Sequence, residues 1–196
     1  MGKIFYLIGP SASGKDRLLG ELKTHFQGRL RTMVMYTTRP IRSGEVPDES
    51  YHFITAEELE AQRAAGNVIE SRTYQTVYGP WTYATLDDGA IDLEASSYLM
   101  AGTLESYAQT LAYYGEAHVV PLYIEVEPGL RLSRALARER AQAVPKYAEM
   151  CRRFLADEED FSEEKQAQFR FPRKYVNDDF ARCLDELSAA IERELP

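Results

Sequence analysis

Lys3-Ile4-Phe5-Tyr6-Leu7-Ile8-Gly9-Pro10-Ser11-Ala12-Ser13-Gly14-Lys15-Asp16 is a short apolar run that ends in a glycine-bounded turn and a lysine. Beyond it, Arg17 to Phe26 carries Leu18, Leu19, Leu22 and Phe26 at helical spacing, so the segment reads as buried strand, turn and helix. Gly9 to Lys15 has the spacing G-x-x-x-x-G-K between strand and helix, which is the context a P-loop requires. Glycines let backbone N–H groups turn inward onto phosphate oxygens, and the helix N-terminus adds its positive end. Gly9, Pro10, Ser11, Ala12, Ser13, Gly14 and Lys15 are therefore the candidate cradle for ATP, with Lys15 reaching the β and γ phosphates. Asp16 stands where a Ser or Thr hydroxyl usually meets Mg²⁺. A carboxylate is a hard-oxygen ligand for Mg²⁺, and an acid in a first turn also favours the helix start; both readings stay open.

Outward from this core, Tyr36-Thr37-Thr38-Arg39-Pro40-Ile41-Arg42-Ser43-Gly44-Glu45 puts two arginines and an acid in one loop, with Tyr51 shortly after. Guanidinium forks hold phosphate bidentately, so Arg39 and Arg42 form a candidate second anion site facing the first. A strand is expected at Leu30 to Tyr36, and Thr55 with Glu58 forms a capping box for a helix ending near Gly66. Val68–Tyr74, Trp81–Thr85 and Ala90–Leu93 read as short strands, Gly102–Tyr114 as a helix and His118–Val126 as a buried strand. Helices follow at Gly129–Ala143, Lys146 to about Asp160, and Asp179–Leu195. Strands alternating with helices point to an α/β fold with a mainly parallel central sheet.

The chain has 196 residues and a net charge of −8, which argues against nucleic acid as the main partner. Any phosphate must then be held by a local site. Two cysteines are too few for a disulfide framework. Ile4 to Ile8 is too short for a signal core or a membrane span, so a reduced, cytoplasmic protein is expected.

Taken together, the Gly-Pro-Ser-x-x-Gly-Lys loop, the Thr-Thr-Arg-x-x-Arg-x-Gly-Glu loop and the following Tyr51-His52-Phe53 resemble the guanylate kinase family in order and interval. Glu70, Tyr78-Gly79, Asp92-Leu93-Glu94, Arg134, Arg138 and Asn177-Asp178-Asp179 extend the likeness over nearly the whole chain. The resemblance implies a P-loop NTPase fold: a core of residues 1–32, 90–130 and 165–196, an inserted NMP-binding subdomain of 33–89, and a helical lid of 131–164. It implies transfer of the γ-phosphoryl of ATP to GMP with Mg²⁺. Arg39, Arg42, Tyr51 and Tyr78 would hold the acceptor phosphate, Glu70 and Glu94 would meet the base, and Asp92 would lie near the metal beside Asp16. Arg134, Arg138 and Arg153 or Arg152 would close over ATP, and Asn177 would lie on the adenine side.

The chain departs from the family pattern at Met35 and Pro80, where polar guanine contacts usually stand, and in a longer interval from Arg138 to Arg153 that includes Pro145. Two alternatives follow: a kinase of the same fold with another nucleoside monophosphate or small phosphate ester as acceptor, and a non-catalytic guanylate-kinase-like module that binds partner proteins. Oligomeric state is left open.

Overall fold

Strand β1 (Ile4–Ile8) is the central strand of a five-stranded parallel sheet, and none of its side chains is exposed. It pairs on one side with β7 (Ser97–Gly102) and on the other with β8 (Val119–Glu125). β2 (Leu30–Thr32) adds to β7 and β9 (Lys174–Val176) to β8, giving the order β2-β7-β1-β8-β9. The computed structural model describes residues 1–41, 45–49, 51–76 and 79–195. Alternation along β1 divides the core between the two faces of the sheet. Phe5 and Leu7 pack with Leu18 and Leu22 of α1 (Lys15–His25) and Leu187 and Ile191 of α7 (Phe180–Glu194). Ile4, Tyr6 and Ile8 pack on the opposite face with Leu104 and Tyr107 of α3 (Leu104–Tyr114). Such two-sided burial explains an unbroken apolar run where a one-sided strand would alternate.

A second, four-stranded sheet has the order β4-β3-β6-β5, built from β3 (Tyr36–Thr37), β4 (His52–Phe53), β5 (Val68–Thr76) and β6 (Gly79–Leu86). α2 (Ala56–Ala64) seats Leu59 against Ala84 and Leu86 of this sheet. The capping box forms as expected: Glu58 N–H donates to Thr55 Oγ1 at 3.1 Å and Thr55 N–H to Glu58 Oε2 at 2.7 Å. After β8 come α4 (Pro128–Arg140), α5 (Tyr147–Asp160) and the single-turn α6 (Glu163–Gln166). Arg131 ties α4 to α5, its guanidinium 2.5 Å from Glu158 and stacked 4.8 Å from the Phe154 ring.

Two expectations from the sequence are corrected. The strand expected over Leu30–Tyr36 is divided, β2 joining the central sheet and β3 the second one. Ala90–Leu93 is no strand: Asp92 Oδ1 accepts from Glu94 N–H at 2.9 Å and Ala95 N–H at 3.2 Å, bending the chain into a turn. An aspartate that satisfies its own following amides favours a turn over a ladder. The strand that flanks β1 is instead Ser97–Gly102, a short apolar stretch abutting a helix, where periodicity cannot separate strand from helix.

Candidate active site

The turn between β1 and α1 is fixed from beneath. Asn177, 2% exposed, follows β9, and its Nδ2 donates to the Ser13 carbonyl at 2.7 Å while its own N–H donates to Glu125 O at 2.9 Å. Gly14 caps α1 with φ 87°, and a Cβ there would stand 2.5 Å from Asn177 Nδ2. Gly9 is crowded as well, since a Cβ would lie 2.8 Å from Ser13 Oγ and 3.1 Å from Ile124 O. Backbone packed this closely at both ends needs glycine, which explains the spacing of the motif. Lys15 reaches over the turn, its Nζ 3.5 Å from Asp16 Oδ1, and the Asp16 side chain is 87% exposed.

Above this turn lies a cleft of about 380 Å³ whose walls come from four stretches of chain, the fourth being Thr103 and Glu105 at the start of α3. Gly9, Ser11 and Lys15 form its floor, Arg72 and Tyr74 of β5 one side, and Arg152, Arg153, Asp157 and Asp160 of α5 the other. Ser11 N–H donates to Asp157 Oδ2 at 3.0 Å, and Arg153 Nη2 reaches Ser11 Oγ at 3.5 Å. Arg72 ties β5 to α3 and α5. Its Nε lies 3.1 Å from Glu105 Oε2 on α3, its Nη2 3.3 Å from Asp160 Oδ2 on α5, and its Nη1 donates to Thr103 Oγ1.

Glu70 shares a face of β5 with Arg72, two residues away, but lies deeper, 3% exposed, accepting from Thr85 Oγ1 at 2.9 Å. Burial drives its carboxyl from an ordinary 4.5 up to about 7, against the lowering effect of the Thr85 hydrogen bond and the Arg72 charge. It forms no wall of the cleft.

Arg39, 3% exposed, has its donors engaged within the protein. Nε donates to Tyr83 Oη at 3.1 Å, Nη1 to Pro40 O at 2.9 Å and Glu45 Oε2 at 2.7 Å, and Nη2 to Glu45 Oε1 at 2.5 Å. The Tyr51 ring lies 4.9 Å from this guanidinium. Burial raises the Tyr51 phenol, with further upward pushes from Tyr83 and then from the Asp16 charge. Arg42 and Tyr78 lie outside the described residues.

Other expected site residues stand elsewhere. Asp92 and Glu94 occupy the turn beside Gly2, whose N–H donates to Leu93 O at 2.6 Å. That is the end of β1 away from the P-loop, because β7 runs parallel to β1 and starts beside this turn. Five strand residues at about 3.3 Å each separate the two ends. Arg134 and Arg138 sit off the buried face of α4, formed by Arg131, Ala135 and Glu139, and neither lines the cleft. Asn177 lies under the loop, closed off from a base. Arg72 and Asp157 were missed because a lone arginine in a strand and an acid in a charged helix carry no signature; only the third dimension joins them to the loop.

The model of the guanylate kinase family matches residues 1–89, the stretch that holds the P-loop, the arginine loop and the β5–β6 hairpin. The guanylate kinase of Nitratidesulfovibrio vulgaris is 32% identical over 194 residues, spanning 98% of this chain and 87% of its own length. The chain belongs to the guanylate kinase family. The guanylate kinase of Symbiobacterium thermophilum is 30% identical over 198 residues, covering 98% of this chain and 86% of that one. The crystal structure of guanylate kinase from Anaplasma phagocytophilum shares the fold, with a TM-score of 0.65 at 22% identity over 99% of this chain and 86% of that one. Within this guanylate kinase family member, the cations that enter the cleft from α5 lie beyond residue 89, outside the part that the family model matches.

Proposed function

We propose that the chain transfers the γ-phosphoryl group of ATP to GMP, giving ADP and GDP. The observation that carries this reading is the cleft in which Lys15 on the P-loop, Arg72 on the second sheet and Arg152 and Arg153 on α5 surround one space, in a chain of the guanylate kinase family. An acceptor phosphate oxygen bonds to the γ phosphorus as the bond to the β–γ bridging oxygen breaks, and ADP leaves with that electron pair. Such transfer needs alignment, charge neutralisation and exclusion of water rather than a protein nucleophile. Gly9 to Lys15 hold the donor phosphates, Lys15 spans β and γ, and Arg153 with Arg152 closes from above. Glu70, buried beside Thr85 and off the cleft wall, would accept from the guanine N–H groups once the acceptor insertion opens around it, and Arg42, Tyr51 and Tyr78 would hold the acceptor phosphate. Arg39, whose donors are spent on Glu45, Tyr83 and Pro40, shapes the arginine loop.

The donor set fits Mg²⁺. The Asp16 carboxylate beside Lys15 offers a hard oxygen at the head of α1, and Mg²⁺ is commonly held by one or two carboxylates with substrate phosphates and water supplying the rest. Mg²⁺ would neutralise charge on the transferring phosphoryl. Among the described residues no group of three or more His, Cys, Asp or Glu side chains forms a metal site of its own. The three moving parts are the central sheet with its helices, the acceptor insertion of 33–89 and the lid of 131–164. Cys151 and Cys183 are free, and no helix among the described residues is long and apolar enough to cross a membrane. The cytoplasm, where ATP and nucleoside monophosphates meet, is the place for this activity.

Met35 and Pro80 favour a second reading in which the acceptor is another nucleoside monophosphate, since neither side chain offers a hydrogen bond to a base. Release of ADP from ATP measured against GMP, dGMP, AMP, UMP, CMP and ribose phosphates decides between them. A clear preference for GMP and dGMP is expected; equal rates with all acceptors would overturn the guanine assignment, and no turnover with any would overturn the kinase.

A further inference from the structure

Two carboxylates on one face of α5 stand inside the cleft. Asp157 and Asp160 are three residues apart and so project to the same side of the helix. Asp160 meets Arg72 of the second sheet at 3.3 Å, and Asp157 Oδ2 takes the Ser11 N–H of the P-loop at 3.0 Å. One turn earlier on the same helix, Arg153 reaches the Ser11 hydroxyl. The helix thus offers the loop an anion and a cation side by side.

Resting on the reading of Gly9–Lys15 as the donor-phosphate cradle, we propose that Asp157 is a positioning residue that sets donor affinity: its carboxylate occupies the Ser11 amide as a stand-in for a phosphate oxygen and must leave when the triphosphate arrives. A backbone N–H makes one strong hydrogen bond, and a carboxylate and a phosphate oxygen cannot share it without close like-charge contact. Donor binding is therefore an exchange. Asp157 gives up Ser11, while Arg152 and Arg153, carried on the same helix, remain in the cleft to meet the incoming charge. The same helix stays held to Arg72 through Asp160, so the exchange is local to the Ser11 end. Donor affinity measured on the whole protein is then the intrinsic phosphate affinity reduced by the Asp157 contact.

The test is calorimetric titration of the full chain with ATP and with inorganic pyrophosphate, comparing wild type with Asp157→Asn and, as a second variant, Asp157→Ala. Asp157 is half-buried, and thermal melts establish that each variant folds. Removing a charge-assisted competitor is expected to lower both dissociation constants by about tenfold. The KM for ATP should fall with them, while the KM for the acceptor stays put. A purely structural role would leave pyrophosphate binding unchanged or weakened. Wild type that binds both ligands, with folded variants that bind them no more tightly, overturns this inference alone. Wild type that binds neither ligand overturns the phosphate-cradle reading, and the inference with it.

Discussion

Glu70 is a carboxyl that the fold prefers neutral. Below pH 4.5 it is protonated in both folded and unfolded chains, and its contribution is fully present. Between 4.5 and about 7 the unfolded chain releases the proton while the native one keeps it, so stability is lost as pH rises. From pH 5 to pH 8 wild type should lose roughly 2 to 3 kcal/mol relative to Glu70→Gln, which has nothing to titrate; urea unfolding of both proteins at the two pH values checks it. A gap that does not change with pH would show that Glu70 is more hydrated than its 3% exposure indicates. Lys15 behaves differently, since its only ion-pair partner among the described residues is the exposed Asp16. Lys15→Ala should lower kcat by on the order of 100-fold or more, through lost charge stabilisation, and leave the melting temperature nearly unchanged. Near wild-type turnover in a coupled ADP-release assay would remove Lys15 from the chemistry.

At the scale of elements, the arginine loop and α2 make opposite demands. Arg39 and Glu45 form a two-pronged pair whose side chains are 2% and 20% exposed, and Arg39→Ala would remove both of its charge-assisted hydrogen bonds and the cation that lies over the Tyr51 and Phe53 rings. A loss of about 3 kcal/mol is expected, read from denaturant midpoints, together with the loss of activity. Thr55→Ala removes only the cap of α2 and should cost about 1 kcal/mol by the same measurement, with turnover intact. The cap was legible in the sequence because both of its partners lie within four residues. The role of Arg39 was legible only in part: the loop motif marks an arginine, but whether its fork meets a phosphate or Glu45 depends on how the loop folds back. β7 escaped for a related reason. Ser97–Gly102 is specified by lying beside β1, whose paired residues stand 94 positions earlier in the chain (Ile4 opposite Tyr98), and not by any periodicity of its own.

For the whole molecule, the net charge of −8 describes the outer surface, while Lys15, Arg72, Arg152 and Arg153 are gathered around one space. Composition shows the first and cannot show the second, because Arg72 lies in a stretch with no motif and Arg152 and Arg153 are marked only by the family resemblance. The core can be followed through its cysteines. Cys183 is fully buried between α7 and the central sheet, and burial pushes its thiol up to about 11, whereas Cys151 is exposed on α5. At pH 8 a thiol reagent should label one site per chain quickly, and the second only as fast as the protein opens globally. Rapid labelling of both would show that α7 detaches on its own.

Asn177 gives the phosphate loop a dependence in time as well as in space. The Ser13 carbonyl that it holds is made 164 residues before it. At roughly 10 residues per second of synthesis, the loop waits some sixteen seconds on the ribosome before its support exists. β1 likewise lacks both neighbouring strands until residues 97–102 and 119–125 have emerged. A nascent chain therefore carries the complete motif long before it carries a rigid cradle. Nucleotide capture should begin only after β9 has joined the sheet, which makes ATP binding by stalled chains of increasing length a clock for when this fold closes.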